Sequence, residues 1–159
     1  MSTSAPPQQA LQQFLRLQLP GNVQAMVKTQ QLTEILSLNV SQVVSIADTN
    51  PAMMGVSNWR GDVLWLLDLG CWLGLEPLYT QSLRQGKLNV VIIQHQGKTL
   101  GLGVDQVEQM IWCDPAEIQT LLESDLSPEL ARCLQGYWSV PGEAVVLALD
   151  GEDIINGQT

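Results

Sequence analysis

The chain's sequence predicts an all-β fold with a few helical turns, and three observations carry that prediction. Its β-rich runs are short and recur roughly every 8–12 residues between turn signals, the pattern of a barrel or sandwich. Xaa-Gly dipeptides separate pairs of such runs, as hairpin turns do. No strand–helix–strand alternation points to a parallel nucleotide-binding sheet.

In chain order, "MSTSAPPQQA" (1–10) has nothing to bury and reads as a disordered tail. "FLRLQL" (14–19) alternates Leu15, Leu17 and Leu19 with Arg16 and Gln18, a half-buried strand. Pro20-Gly21-Asn22 turns the chain and "VQAMV" (23–27) returns as a second strand. "QQLTEILSL" (30–38) is ambiguous, because Leu32, Ile35 and Leu36 fit helical spacing but the run is short and poorly capped. "VVSIA" (43–47) is β-like, and 48–54 predicts a turn into one helical turn with Pro51 at its first position. Residues 56–59 and 63–67 predict two strands bent at Arg60-Gly61-Asp62; "LGCWLGL" (69–75) follows as a short glycine-closed helix. A polar loop (76–87) leads to "LNVVIIQH" (88–95) and "KTLGLGVDQVEQMIWC" (98–113), a hairpin across Gln96-Gly97 whose second run presents Leu100, Leu102, Val104 and Val107. A long connection (114–134) contains a helical turn from Pro128. Residues 136–140 and 143–150 form a last hairpin across Pro141-Gly142, and 151–155 begin a terminal helix.

Composition narrows the function. Charged residues are 14% of the chain, against about 25% in an average soluble domain, while 45% are apolar. That supplies a core and leaves apolar surface for partners. The charge is lopsided: residues 1–104 carry five acids and six bases, whereas 105–159 carry eleven acids and only Arg132. No clustered bases serve nucleic acid or an anionic membrane; the acidic half serves solubility or a basic partner. Cys71, Cys113 and Cys133 are odd in number and widely spaced, so they form neither a disulfide framework nor a zinc site. With no basic-then-apolar leader and no run long enough to span a bilayer, a cytoplasmic location without membrane insertion is expected.

Catalytic chemistry is missing from the pattern. His95, the single histidine, ends a strand with no nucleophile motif beside it. "GLGVD" (101–105) lacks the third glycine and the helix of a nucleotide loop. Glu123, Asp125 and Glu129 read as a solvated cluster. No catalytic residue, metal ligand or cofactor site is therefore expected. Of Trp59, Trp65, Trp72, Trp112 and Trp138, most should be core, with Trp59 beside Arg60 the best candidate for exposure.

Three blocks in order carry a family resemblance: Gly55-Val56-Ser57-Asn58-Trp59-Arg60-Gly61 followed by "DVLWLLDLG" and "CWLGL"; "VVIIQHQGKTLGLGVDQVEQMI" (90–111); and "LQGYWSVPGEAVVLALDGEDII" (134–155). Over residues 12 to 155 the sequence resembles the CheW-like adaptors of bacterial chemosensory arrays. The resemblance implies two intertwined five-stranded SH3-like barrels, approximately 11–62 plus 137–155 and 63–136, within one domain (11–155) before a short tail (156–159). It implies a non-enzymatic coupling protein at receptor arrays on the inner membrane face. Its partners would be the regulatory domain of a CheA-like histidine kinase and the cytoplasmic tip of a methyl-accepting chemoreceptor. Arg60 and Gly55 match positions on which coupling depends in that family; Val56 and Trp59 flank them, and Leu32 and Glu34 fall on its Val-x-Glu strand. Arg60 is then either held by Glu34, presented to a partner, or both. Trp59 departs from the family's usual Leu, and "VQAMVKTQ" (23–30) from its Tyr-Ala/Gly-Ile strand. The tryptophan content resembles the cyanobacterial, PilI-like branch linked to type IV pilus motility and phototaxis. The alternative reading is a small-molecule-sensing β-barrel module whose tryptophans line a pocket.

Overall fold

The computed structural model describes residues 11–47, 49–78, 86–120, 127–139, 142 and 145–158. Ten strands among them form two five-stranded sheets, with three short helices. The first sheet has the order β8-β1-β2-β10-β9, from β1 (Gln12–Leu19), β2 (Val23–Lys28), β8 (Gln106–Cys113), β9 (Leu134–Ser139) and β10 (Val145–Leu149). The second has the order β3-β6-β7-β5-β4, from β3 (Leu32–Asn39), β4 (Met53–Trp59), β5 (Asp62–Asp68), β6 (Lys87–His95) and β7 (Lys98–Val104). Each contains one parallel pair, β2 with β10 and β5 with β7; the remaining pairs are antiparallel.

Alternation in β1 explains how the sheets meet. Leu15, Leu17 and Leu19 project with Ala25 and Val27 of β2 into a core shared with Leu67, Val91, Ile93, Leu100, Leu102 and Val104 of the second sheet. Arg16, between two of those leucines, is buried on the opposite face, 3.2 Å from Gln24 Oε1 and 3.6 Å from Glu108 Oε1. The far faces are apolar too. Met54, Leu64, Leu66, Leu88, Val90 and Ile92 make a second core inside the second sheet. Leu36 and Leu38 of one edge strand and Trp59 of the other pack against that same cluster. The sheet therefore curls into a half-barrel, bringing its edges β3 and β4 towards each other.

Asp68, at the end of β5, is buried and well satisfied. One carboxylate oxygen accepts the Cys71 N–H that starts α1 (Leu69–Trp72) and the other accepts the Leu78 N–H at 2.7 Å. Pro128 opens α2 (Pro128–Ala131) behind the Ser127 cap, as its position predicts. The terminal helix α3 (Gly151–Asn156) seats Ile154 and Ile155 in the shared core; Asp150 caps it, and Gln31 Oε1 accepts the Gly151 N–H.

Several expectations are corrected. The ambiguous run 30–38 resolves as the end of a 3-10 turn (Thr29–Gln31) that leads straight into β3. In 43–47 only Val44 pairs, in one bridge to Val56. Pro51 opens no helical turn, because the Met53 N–H donates to Asn50 O at 2.9 Å and β4 begins there. The run 98–113 is two strands in different sheets, broken at Asp105. There the Asp105 N–H reaches Gln18 O in the first sheet, while its carbonyl accepts from Asn89 Nδ2 in the second, both at 2.9 Å. By strand, β3 to β7 build one sheet, while β1, β2 and β8 to β10 build the other. The last helix, α3, ends at Asn156. The N-terminal tail, the middle of the 76–87 loop, Glu123 and Asp125 of the acidic cluster, and Pro141 lie outside the described residues.

The tryptophans invert the expected order of exposure. Trp72 alone is buried, whereas Trp112 on the edge strand β8 is 60% exposed and Trp65 is also open. Trp59 is only half-exposed.

Candidate functional site

Arg60 and Gly61 are the two central residues of the β4–β5 hairpin, with φ of +53 and +83. Positive φ at both is the turn whose twist matches paired strands, and its first position ordinarily takes Asn, Asp or Gly. Asn58 Oδ1 accepts the Gly61 N–H at 3.1 Å and steadies the bend. An arginine there costs about 1–2 kcal/mol of backbone strain.

The Arg60 side chain is held by Glu34. Its Oε1 accepts from Arg60 Nη2 at 2.7 Å and from Trp59 Nε1 at 3.1 Å. The guanidinium carbon also lies 4.9 Å from the centre of the Trp59 ring, within cation–π range. Glu34 belongs to β3 and Trp59 to β4, the two edges of the curled sheet. One carboxylate oxygen therefore clasps the mouth of the half-barrel. Trp59 packs its body on the second core and gives its N–H to the clasp. Arg60 is held along one side while its side chain stays 66% exposed.

The other sequence-predicted site residues are separate. Leu32 lies two positions before Glu34, yet a bulge between them reverses the side-chain alternation. Leu32 pairs with Ile93 and packs on the shared core; Glu34 pairs with Ile92, on the half-barrel side. Gly55 and Val56 lie farther up β4 and hold Val44. Val56 exchanges two backbone hydrogen bonds with Val44, at 2.8 and 2.9 Å. Gly55 is buried, with φ +146, where a Cβ would overlap the Val44 carbonyl oxygen. The structure thus brings Glu34, Trp59 and Arg60 together, gives Gly55 and Val56 a supporting role, and leaves Leu32 as packing.

Composition pointed to apolar surface but did not place it. Val44, Val63 (69% exposed) and Trp65 lie on the β4–β5 side of the second sheet, where Val56 is paired with both Val44 and Trp65. The alternation of Val63 and Trp65 with Leu64 and Leu66 was the available signal.

Reactive groups stay apart. His95 Nε2 is 3.3 Å from Glu152 Oε1, and Cys71, Cys113 and Cys133 are free thiols. Burial pushes the Cys113 thiol up to about 11 and Cys133 to about 12; it also raises Cys71, with the Asp68 charge adding to the effect. Thiols so placed are poor nucleophiles near neutrality. Among the described residues no three His, Cys, Asp or Glu side chains gather to hold a metal ion.

Comparison with known proteins agrees with this architecture. Residues 13–159 match the family model described as a CheW-like domain. Among solved structures, the chain is similar to the scaffolding protein TtCheW from Thermoanaerobacter tengcongensis. The TM-score is 0.71 at 16% sequence identity, covering 87% of this chain and 88% of that one. No curated protein matches it significantly.

Proposed function

The chain belongs to the CheW-like domain family, and from that premise we propose that it is a chemosensory adaptor whose output is geometry rather than catalysis. It joins the regulatory domain of a CheA-like histidine kinase to the cytoplasmic tip of a chemoreceptor. In so doing it controls motility, through pili or flagella, from the cytoplasmic face of the membrane. No helix among the described residues is long and apolar enough to cross a bilayer.

The observation that carries this reading is the clasp at Arg60. One edge of the guanidinium is fixed by Glu34 and backed by Trp59, while the rest faces solvent. A cation immobilised in this way loses little further freedom on meeting a carboxylate or a backbone carbonyl, which suits an interface anchor. Glu34, Trp59 and Arg60 form the contact; Gly55 and Val56 shape the neighbouring edge, and Leu32 anchors β3 behind it. Receptor and kinase then bias one another through linked binding equilibria, with no chemical step.

The test is a titration of the purified kinase regulatory domain with the chain and with its Arg60→Ala variant. Loss of an anchor should weaken binding roughly 30-fold, about 2 kcal/mol. Equal affinities for the two proteins, with both folded, reject the assignment of Arg60.

A further inference from the structure

On the opposite face of the second sheet from the clasp lies a recess of ≈ 520 Å³, within the range of about 300–1,000 Å³ common to small-molecule sites. Met53, Leu100 and Ile155 line it together with the exposed indole of Trp65. Asn50 Nδ2 donates to Gln158 Oε1 at 3.3 Å, tying the segment before β4 to the end of α3. That link joins two walls of the recess and bounds it, as suits a compact ligand more than a long helix crossing the surface.

Its charge is a single cation. Lys98 is the one charged residue among the described residues that line it, and no ion pair of Lys98 occurs among them. The chain has 16 acids and only seven Lys and Arg. Of the described arginines, Arg16 faces Glu108, Arg60 faces Glu34, and Arg132 stacks on Trp72 and donates to its carbonyl. An ammonium with no ion pair among the described residues, set beside an apolar recess, therefore complements one negative charge. Its aliphatic stem can run over the apolar lining while the head meets the anion.

We infer that this recess binds a small amphipathic monocarboxylate, with its apolar body against Trp65, Met53, Leu100 and Ile155 and its carboxylate on Lys98. The site is independent of the clasp, because Trp65 is on the opposite face of β5 from Leu64 and Leu66 of the half-barrel core. It adds a ligand input to the adaptor without resting on the identity of its protein partners.

Isothermal titration of the full chain with sodium decanoate below its micelle threshold, and with decan-1-ol, tests the inference. Saturable one-to-one binding of decanoate is expected, about tenfold tighter than the alcohol, as one charge-assisted contact provides. Lys98→Met should lower decanoate affinity to that of the alcohol, while Arg60→Ala leaves it unchanged. Binding should also alter tryptophan emission in the wild type and not in Trp65→Phe. Absence of saturable binding, equal affinity for acid and alcohol, or decanoate affinity unmoved by Lys98→Met in a variant that melts like the wild type would each overturn it. Failure here leaves the kinase titration untouched, so the two readings are separately testable.

Discussion

Gly55→Ala provides a prediction whose size follows from the structure. The new methyl would overlap the Val44 carbonyl oxygen, lie 2.8 Å from its carbon, and be attached at φ +146. Strain at such a backbone angle costs on the order of 1–2 kcal/mol. Relieving the overlap means moving residues 44–45, which breaks the two Val44–Val56 hydrogen bonds at 2.8 and 2.9 Å. Each contributes about 1 kcal/mol. The total is about 3 kcal/mol, or a fall of roughly 6–12 °C in Tm for a domain of this size. Gly61→Ala is the internal control. Its φ is +83 with nothing within 4 Å of the added carbon, so only the backbone term applies, about 1 kcal/mol. Urea denaturation of both variants measures the difference. Gly55→Ala no more destabilising than Gly61→Ala would refute the reasoning, because the close approach of Val44 would then carry no energy.

Four further outcomes are expected. Glu34→Gln should cost less than about 1 kcal/mol of stability, since Arg60 is largely in water and exposed ion pairs are weak; thermal melts check it, and a loss above about 3 kcal/mol would make the clasp a folding element. A thiol reagent at pH 8 should label Cys71 first and reach Cys113 and Cys133 only on unfolding, because burial keeps those two protonated until about 11 and 12. Burial, then the charges of Asp150 and Glu152, raises the Asp153 carboxyl. A carboxyl raised in the folded state contributes stability while protonated and loses it as pH climbs from the ordinary aspartate value of 3.8 through the raised value. Asp153→Asn should therefore flatten the acid side of the stability–pH curve, and an unchanged slope would count against that origin. Acrylamide quenching should act on Trp112 and Trp65 well before Trp72, so Trp112→Phe removes much of the quenchable emission; equal quenching in wild type and variant would contradict the placement of β8.

Local alternation made most of the fold legible. Leu15, Leu17 and Leu19 announce β1, and the Gln96-Gly97 and Arg60-Gly61 bends announce two hairpins that occur with positive φ at all four turn residues. The change of sheet at Asp105 was hidden, because no glycine or proline marks it. The break depends on Gln18 and Asn89, distant in sequence, meeting Asp105 from opposite sheets. Residues 43–46 have β-forming side chains, but only Val44 finds a bridging partner. The tryptophans misled for a related reason. Size and hydrophobicity predict burial, yet whether Trp65 or Trp112 is covered depends on how far one sheet extends over the other, a tertiary fact.

The clasp was half legible. The family resemblance offered Glu34 as one holder of Arg60, and the structure adds Trp59 Nε1 on the same oxygen. The bulge after Leu32 could not be read, since an Xaa-x-Glu spacing implies a common face that the extra residue abolishes. Lys98 gave no signal at all: its recess forms only when α3 packs beside β7.

The most direct test of the account measures binding and folding on the same sample. The chain and its Arg60→Ala variant are titrated with the kinase regulatory domain, and each is melted under identical conditions. An adaptor that works through a presented guanidinium should lose affinity by roughly 30-fold with Tm nearly unchanged. Unchanged affinity accompanied by a large drop in Tm would show Arg60 to be a structural counter-ion and contradict the proposed contact.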